Sequence, residues 1–289
     1  VDKFFIGLNS GNTTTTGVNN FVCGSGTLPN VTTANSNQLF GNSIMTTATN
    51  AGNGNVVVGG GAFTIGTGNT NLIVGGDAFA LATTASTNTI LGHSAGFNSG
   101  MATGLTTGSN NILVGYAVAN AYTAAESNNI VIGLNDAVNG ESNVIRIGSD
   151  GTSSPNQTKC FINGIRGITT TNNDAVAVLI DSAGQLGTIS SSERYKDDIE
   201  DMGDYSSPLL ELRPVTFTWK SDKQKTIQRG LIAEEVEEIF PDLVVYDQQG
   251  DPETVRYHEL SVLLLNEVKK LSERLDKLEA RFGSVDVEL

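Results

Sequence analysis

Nine times within the first 148 residues a short apolar run ends in glycine. The runs are Phe5-Ile6-Gly7, Phe21-Val22-Cys23-Gly24, Leu39-Phe40-Gly41, Val56-Val57-Val58-Gly59, Leu72-Ile73-Val74-Gly75, Ile90-Leu91-Gly92, Ile112-Leu113-Val114-Gly115, Ile130-Val131-Ile132-Gly133 and Ile145-Arg146-Ile147-Gly148. Successive glycines lie 17, 17, 18, 16, 17, 23, 18 and 15 residues apart, and the long interval holds an extra loop around Gly100–Gly104. Seven of the nine have Asn four residues earlier: Asn20, Asn37, Asn55, Asn71, Asn88, Asn111 and Asn129. A repeat this short cannot bury a core in one copy, so its copies must stack.

The chemistry of one copy predicts a β-solenoid or β-roll. The β-branched triplet is a strand of three to four residues. Glycine supplies a bend that a side chain would obstruct. A buried Asn at an equivalent place in each coil can form a ladder with the coils above and below. Ala62, Ala78 and Ala95, three residues after the glycine, suit a tightly packed second wall. At about 4.8 Å per coil, nine coils make a rod of roughly 40 Å. Asn-x-apolar-x-Gly units of this length resemble the head repeats of trimeric autotransporter adhesins and the shafts of phage tail fibres. That resemblance implies a trimeric β-roll. A monomeric ice-binding solenoid is the alternative for coils so rich in Thr, Asn and Gly. Gly75-Gly76-Asp77 reads as a turn.

The composition changes near residue 190. Residues 1–190 hold 8 acidic and 4 basic residues, and residues 191–289 hold 23 and 13, within a total net charge of −14. Of 33 glycines, only Gly203, Gly230, Gly250 and Gly283 fall in the second part. We therefore expect roll repeats over 1–157, a β neck over 158–190 and a second domain over 191–289. In the neck, Cys160–Ile165 reads as a strand, and Ala175–Ile180 with Gln185–Ile189 as a hairpin around Asp181-Ser182-Ala183-Gly184. Because Val1 is not Met and the repeat is already in progress there, we read the chain as the C-terminal part of a longer protein.

Several functions lose their footing. A net charge of −14 and a pI near 4.5 oppose nucleic-acid binding, which needs a basic face. No apolar run approaches the roughly 20 residues of a membrane span. Two histidines (His93, His258) and two distant cysteines (Cys23, Cys160) form no metal constellation. We expect both cysteines free and buried, the histidines solvent-facing or satisfied, and no metal or cofactor. The acidic run Glu234-Glu235-Glu237-Glu238 reads as the solvated face of a helix, and Trp219 as a core residue.

Ser190-Ser191-Ser192-Glu193-Arg194-Tyr195-Lys196 marks the switch. A serine is a poor nucleophile until a base takes its proton, and a lysine can be that base if its pKa is lowered. This stretch resembles the Ser-Asp-x-Arg-x-Lys entry motif of the intramolecular chaperone auto-processing domain that ends many phage tail fibres and endosialidase tailspikes. Leu212–Lys220, Gly230–Glu237, Phe240–Val244 and Val255–Leu260 resemble its later elements in order. The resemblance implies a single-turnover autoproteolytic serine endopeptidase with a Ser–Lys dyad. Ser191 would be the nucleophile, Lys196 its base, Ser190–Ser191 the scissile bond, and Arg194 an orienting or interface residue. Ser192 stands where the motif has Asp, and Glu234 where the family often has Gln. Three consecutive serines leave Ser190 and Ser192 as alternative nucleophiles.

Leu264, Val268, Leu271, Leu275, Leu278 and Phe282 follow a 4, 3, 4, 3, 4 spacing, an a/d seam that predicts a coiled coil over 260–282, ended by Gly283. The expected whole is multidomain: an all-β trimeric roll, then an α+β chaperone domain ending in a coiled-coil helix. As a homotrimeric tail fibre or spike it would reside on a virion or an extracellular surface and meet a host receptor or glycan. The rival reading is a bacterial surface adhesin or ice-binding solenoid whose terminal domain is structural and does not cut.

Overall fold

The computed structural model describes residues 3–12, 16–29, 33–47, 52–98, 103–134, 137–149, 157, 159–247 and 249–282. The chain divides into two compact units, Val1–Thr169 and Thr170–Leu289.

The first unit is a β-solenoid. Strands β1 (Lys3–Ile6), β2 (Asn20–Cys23), β3 (Gln38–Phe40), β4 (Val56–Val58), β5 (Leu72–Val74) and β6 (Thr89–Leu91) pair in parallel, each with the next coil. The long interval between glycines inserts a small antiparallel hairpin, β7 (Phe97–Asn98) and β8 (Thr103–Gly104). The parallel sheet then resumes with β9 (Ile112–Val114), β10 (Ile130–Leu134) and β11 (Ile145–Ser149). The centre of each triplet points inward, so Val22, Leu39, Val57, Ile73, Ile90, Leu113 and Val131 form one fully buried column. The flanking strand residues alternate outward, as a strand requires. Ala62, Ala78 and Ala95 line the opposite wall as expected, and Phe63 stacks on Phe79 at 5.9 Å beside them.

The asparagine ladder is present. Each buried Asn accepts the backbone N–H of its counterpart one coil later, at 2.9–3.1 Å. Its amide donates to a carbonyl of the following coil, such as Gly68 O from Asn55 at 3.0 Å. A second, exposed ladder runs the opposite way. Backbone N–H groups of Asn35, Asn53, Asn69, Ser86, Ser109 and Ser127 donate to the side chains of Asn53, Asn69, Ser86, Ser109, Ser127 and Ser142, at 2.8–3.1 Å. The sequence reading did not find it.

At the last coils the core turns polar. Glu126, almost fully buried, accepts N–H groups of Thr123, Ala124 and Gly140 at 3.1–3.2 Å. Arg146 holds Glu141 through two nitrogens at 2.8–3.0 Å, and buried Tyr122 donates to the same carboxylate at 3.3 Å.

In the second unit β12 (Leu179–Ile180) and β13 (Leu186–Gly187) form a short hairpin. Two antiparallel pairs follow, β14 (Val215–Phe217) with β15 (Gln228–Gly230), and β16 (Val244–Tyr246) with β17 (Pro252–Val255). Helix α1 (Ala233–Glu237) and the long α2 (Tyr257–Phe282) complete it. Leu209, Val236, Phe240, Leu243, Val244, Val255 and Leu263 make its core.

Four expectations need correction. Cys160–Ile165 is not a strand but exposed coil and turn, because no apolar surface lies against it. The neck hairpin is two residues deep rather than five or six. Both cysteines are free but not buried: Cys23 occupies an outward strand position, half-exposed, and Cys160 lies in the exposed coil. Trp219 is 60% exposed, edge-on to Phe217 at 5.2 Å, because β14 ends at Phe217 and the tryptophan starts the next turn. Asp77 does sit in a turn, at φ +51°. Gly283 lies outside the described residues.

Candidate functional site

The serine run leads into one turn of 3-10 helix, Glu193–Tyr195. Ser192 before it and Lys196 after it are extended, and the Lys196 N–H closes the turn on Glu193 O at 3.0 Å. That single turn reverses the chain enough to return a side chain five residues back. Lys196 Nζ thereby reaches Ser191 Oγ at 3.2 Å. The neighbouring hydroxyls are engaged otherwise: Ser190 Oγ accepts the Ser192 N–H at 3.3 Å, and Ser192 Oγ accepts Arg194 Nε at 3.2 Å. Arg194 also lies over the Tyr195 ring, 5.4 Å from its centroid.

Ser191, Arg194 and Lys196 are exposed, and Tyr195 is 71% exposed. An ammonium donates to a hydroxyl; it takes a proton from one only in the neutral form, which removal of water favours. The arrangement brings a hydroxyl and an amine together, while the cover that base chemistry needs is absent from the isolated chain.

Helix α2 has two apolar faces with different surroundings. Leu260 and Leu263 pack inward on the core. Leu264, Val268, Leu271, Leu275, Leu278 and Phe282 point outward, 44–66% exposed. The inward face continues into a polar lock. Fully buried Ser206 donates to Glu267 Oε1 at 2.5 Å and accepts Asn266 Nδ2 at 2.7 Å. Lys270 Nζ reaches Glu267 at 3.0 Å, Ser207 Oγ at 3.0 Å and Asp204 at 3.1 Å. The Ser206 hydrogen bond, then Lys270, hold the Glu267 carboxyl below its ordinary value. Sequence reasoning missed this lock, because Ser206 and Glu267 are 61 residues apart and share no motif.

Glu234 and Glu238 face solvent as expected, whereas Glu235 pairs with Arg213. His93 and His258 are exposed, His93 stacked on Tyr116 at 5.8 Å. Among the described residues no group of three or more His, Cys, Asp or Glu could hold a metal, and no helix is long and apolar enough to cross a membrane.

Comparison with known families finds one match: residues 191–245 match Peptidase_S74, chaperone of endosialidase. The match begins at Ser191. That family is a self-cleaving domain of serine-peptidase type and implies trimer formation. No curated protein and no solved structure matches the chain.

Proposed function

We propose that this chain belongs to a homotrimeric tail fibre or spike that attaches a phage or virus-like particle to its host. Residues 191–289 template the trimer and then release themselves by cutting the Ser190–Ser191 bond. The observation that carries this reading is the 3.2 Å approach of Lys196 Nζ to Ser191 Oγ, at the first residue of the family match. The different partners of Ser190 and Ser192 favour Ser191 over its neighbours as nucleophile.

In the reaction, neutral Lys196 takes the Ser191 hydroxyl proton and the oxygen attacks the Ser190 carbonyl carbon. The C–N bond breaks, the Ser191 nitrogen takes a proton, and an ester joins Ser190 to Ser191 Oγ. Water then hydrolyses the ester, leaving a carboxylate on Ser190 and a free N-terminus on Ser191. Arg194, placed beside Ser192, orients the turn. The outward face of α2, Leu264 through Phe282, is the seam along which three helices meet. The domains are the roll (1–157), the neck (158–190) and the chaperone (191–289). Once the chaperone has left, the roll lacks its template, so unfolding becomes hard to reverse.

Intact mass spectrometry of wild type beside Ser191→Ala tests the reading. Fragments 1–190 and 191–289 in wild type only are expected. A wild type that stays whole removes the enzyme claim, and cleavage that persists in Ser191→Ala moves the nucleophile.

A further inference from the structure

The hairpin just upstream of Ser191 has a well-made turn and no core. Asp181 Oδ1 accepts the N–H groups of Ala183 and Gln185 at 3.0 and 2.9 Å, and the Asp181 N–H donates to Gln185 O at 3.1 Å. Two cross-strand pairs follow, Leu179 with Gly187 and Ile180 with Leu186. A two-rung hairpin is not stable by itself in water. Yet Val176, Val178, Ile180, Leu186 and Ile189 are 62–68% exposed, and none joins the core around Leu209, Val236 and Leu263. Local chemistry has specified a hairpin whose apolar side nothing in the isolated chain covers.

We propose that this hairpin is the assembly sensor of the cleavage reaction, covered by the same hairpin from two further copies of the chain. The proposal rests on the self-cleavage reading above. Three observations select copies of this chain as the occupant. The matched family implies trimer formation. Asp181 is the one charged residue between Ala175 and Ser190, in a chain carrying −14, so copies meet here with little like-charge repulsion. A threefold axis brings identical residues together, so short apolar hairpins too small for a core each make one jointly.

The link to chemistry is positional. The Ser191–Lys196 approach already exists in the isolated chain, made by the local turn at Glu193–Tyr195. What the isolated chain lacks is a fixed carbonyl on the other side of the bond and exclusion of water. Ile189 lies two residues before Ser191, so burying it pins the backbone at the Ser190 carbonyl. Assembly thus acts on the electrophile, while the nucleophile is ready beforehand.

The test uses the full chain. Ile180→Asp and Leu186→Asp alter exposed positions outside the second unit's core, so that core should melt as in wild type. Both variants are expected to form fragments 1–190 and 191–289 at least tenfold more slowly, with Ile180→Val retaining the wild-type rate. Wild-type cleavage in Ile180→Asp overturns the proposal. Hydrogen exchange on uncut Ser191→Ala protein supplies a readout free of cleavage. Protected amides over 176–189 are expected in the assembled protein, and exchange there at the rate of free chain overturns the proposal. Should wild type never cut, the self-cleavage reading fails by itself, and the exchange result still decides whether copies cover the hairpin.

Discussion

Asn37 Oδ1 accepts both the backbone N–H and the side-chain amide of Asn55, at 2.9 and 3.1 Å, from 18 residues further along the chain. Asn55 does the same for Asn71 at 3.0 Å, and Asn71 for Asn88 at 3.0 and 3.1 Å. Each asparagine therefore ties three coils together inside the roll, where no water can replace it. Asn71→Ala would leave the Asn88 N–H and Ala85 O without their side-chain partner. We expect a loss of about 2–4 kcal/mol, at roughly 1–3 kcal/mol for each buried group left unpaired. Asn53→Ala in the exposed ladder should cost about 0.5 kcal/mol, since water takes over there. Denaturant unfolding of the two variants checks the contrast, and equal losses would contradict it.

The buried column was legible because its letter never changes over seven coils and its spacing to glycine is constant. The outer ladder was not, because Asn35, Asn53 and Asn69 give way to Ser86, Ser109, Ser127 and Ser142. A short side-chain oxygen does the same work in each, but the pattern of letters breaks. The contact between Ser191 and Lys196 was legible as a pair, though not how the chain would bring them together; the Glu193–Tyr195 turn does that. Trp219 misled because its size signals burial only while a strand continues beneath it. The outward seam of α2 was readable from its heptads, while the inward lock through Ser206 and Glu267 depends on a tertiary contact with no local period.

Glycines at the coil bends are not equivalent to those in the turns. A Cβ on Gly75, at φ +149°, would sit 2.1 Å from Gly92 O of the next coil. One on Gly26, at φ +65°, would meet nothing within 4 Å. Gly75→Ala should destabilise the roll by more than about 3 kcal/mol, because the backbone must shift in a region closed to side chains. Gly26→Ala should cost about 1 kcal/mol, the ordinary left-handed penalty. Thermal midpoints that fall together would refute the distinction.

The polar end of the roll makes its stability depend on acid. Burial acts to raise the Glu141 carboxyl, but the Arg146 hydrogen bonds and the Val138 N–H outweigh it and hold it below its ordinary value. Glu126 is likewise held low, burial being outweighed by backbone N–H groups that include those of Gly140, Thr123 and Ala124. A carboxyl lowered by folding contributes stability above its unfolded value, about 4.3, and that stability is lost as pH falls through the lowered folded value. The last coils should loosen below about pH 4, and Glu141→Gln should weaken them at neutral pH while flattening the acid limb. Hydrogen exchange at Ile130–Leu134 and Ile145–Ser149 across pH reads this directly; an acid limb unchanged in Glu141→Gln would sink it.

The two faces of α2 predict separable variants. Leu263 is buried in the core of its own unit, and Leu263→Ala should cost about 2–5 kcal/mol as other large-to-small core changes do. Leu271 is 53% exposed, so Leu271→Asp should leave the unit's own fold intact and act only on association. Native mass spectrometry should then show monomer where wild type shows trimer, with the helical circular dichroism of the folded unit retained. A trimeric Leu271→Asp protein would remove α2 from the assembly seam.

Lysine and arginine are not interchangeable in the proposed dyad. Arginine at 196 keeps a donor within reach of Ser191 but cannot lose its proton in a protein. Lys196→Arg should therefore preserve trimer formation and abolish cleavage, and Lys196→Met should do the same without the charge. If Lys196 served only to hold the Glu193–Tyr195 turn, Lys196→Arg would still cut. Ser192→Ala removes the hydroxyl that Arg194 contacts at 3.2 Å and not the one Lys196 contacts, so it should still cut, at a reduced rate if Arg194 orients the turn. The rate of fragment formation as pH rises adds a second readout. A lysine acting as base gives a rate that climbs as its neutral form accumulates, whereas a purely structural lysine gives none of that dependence.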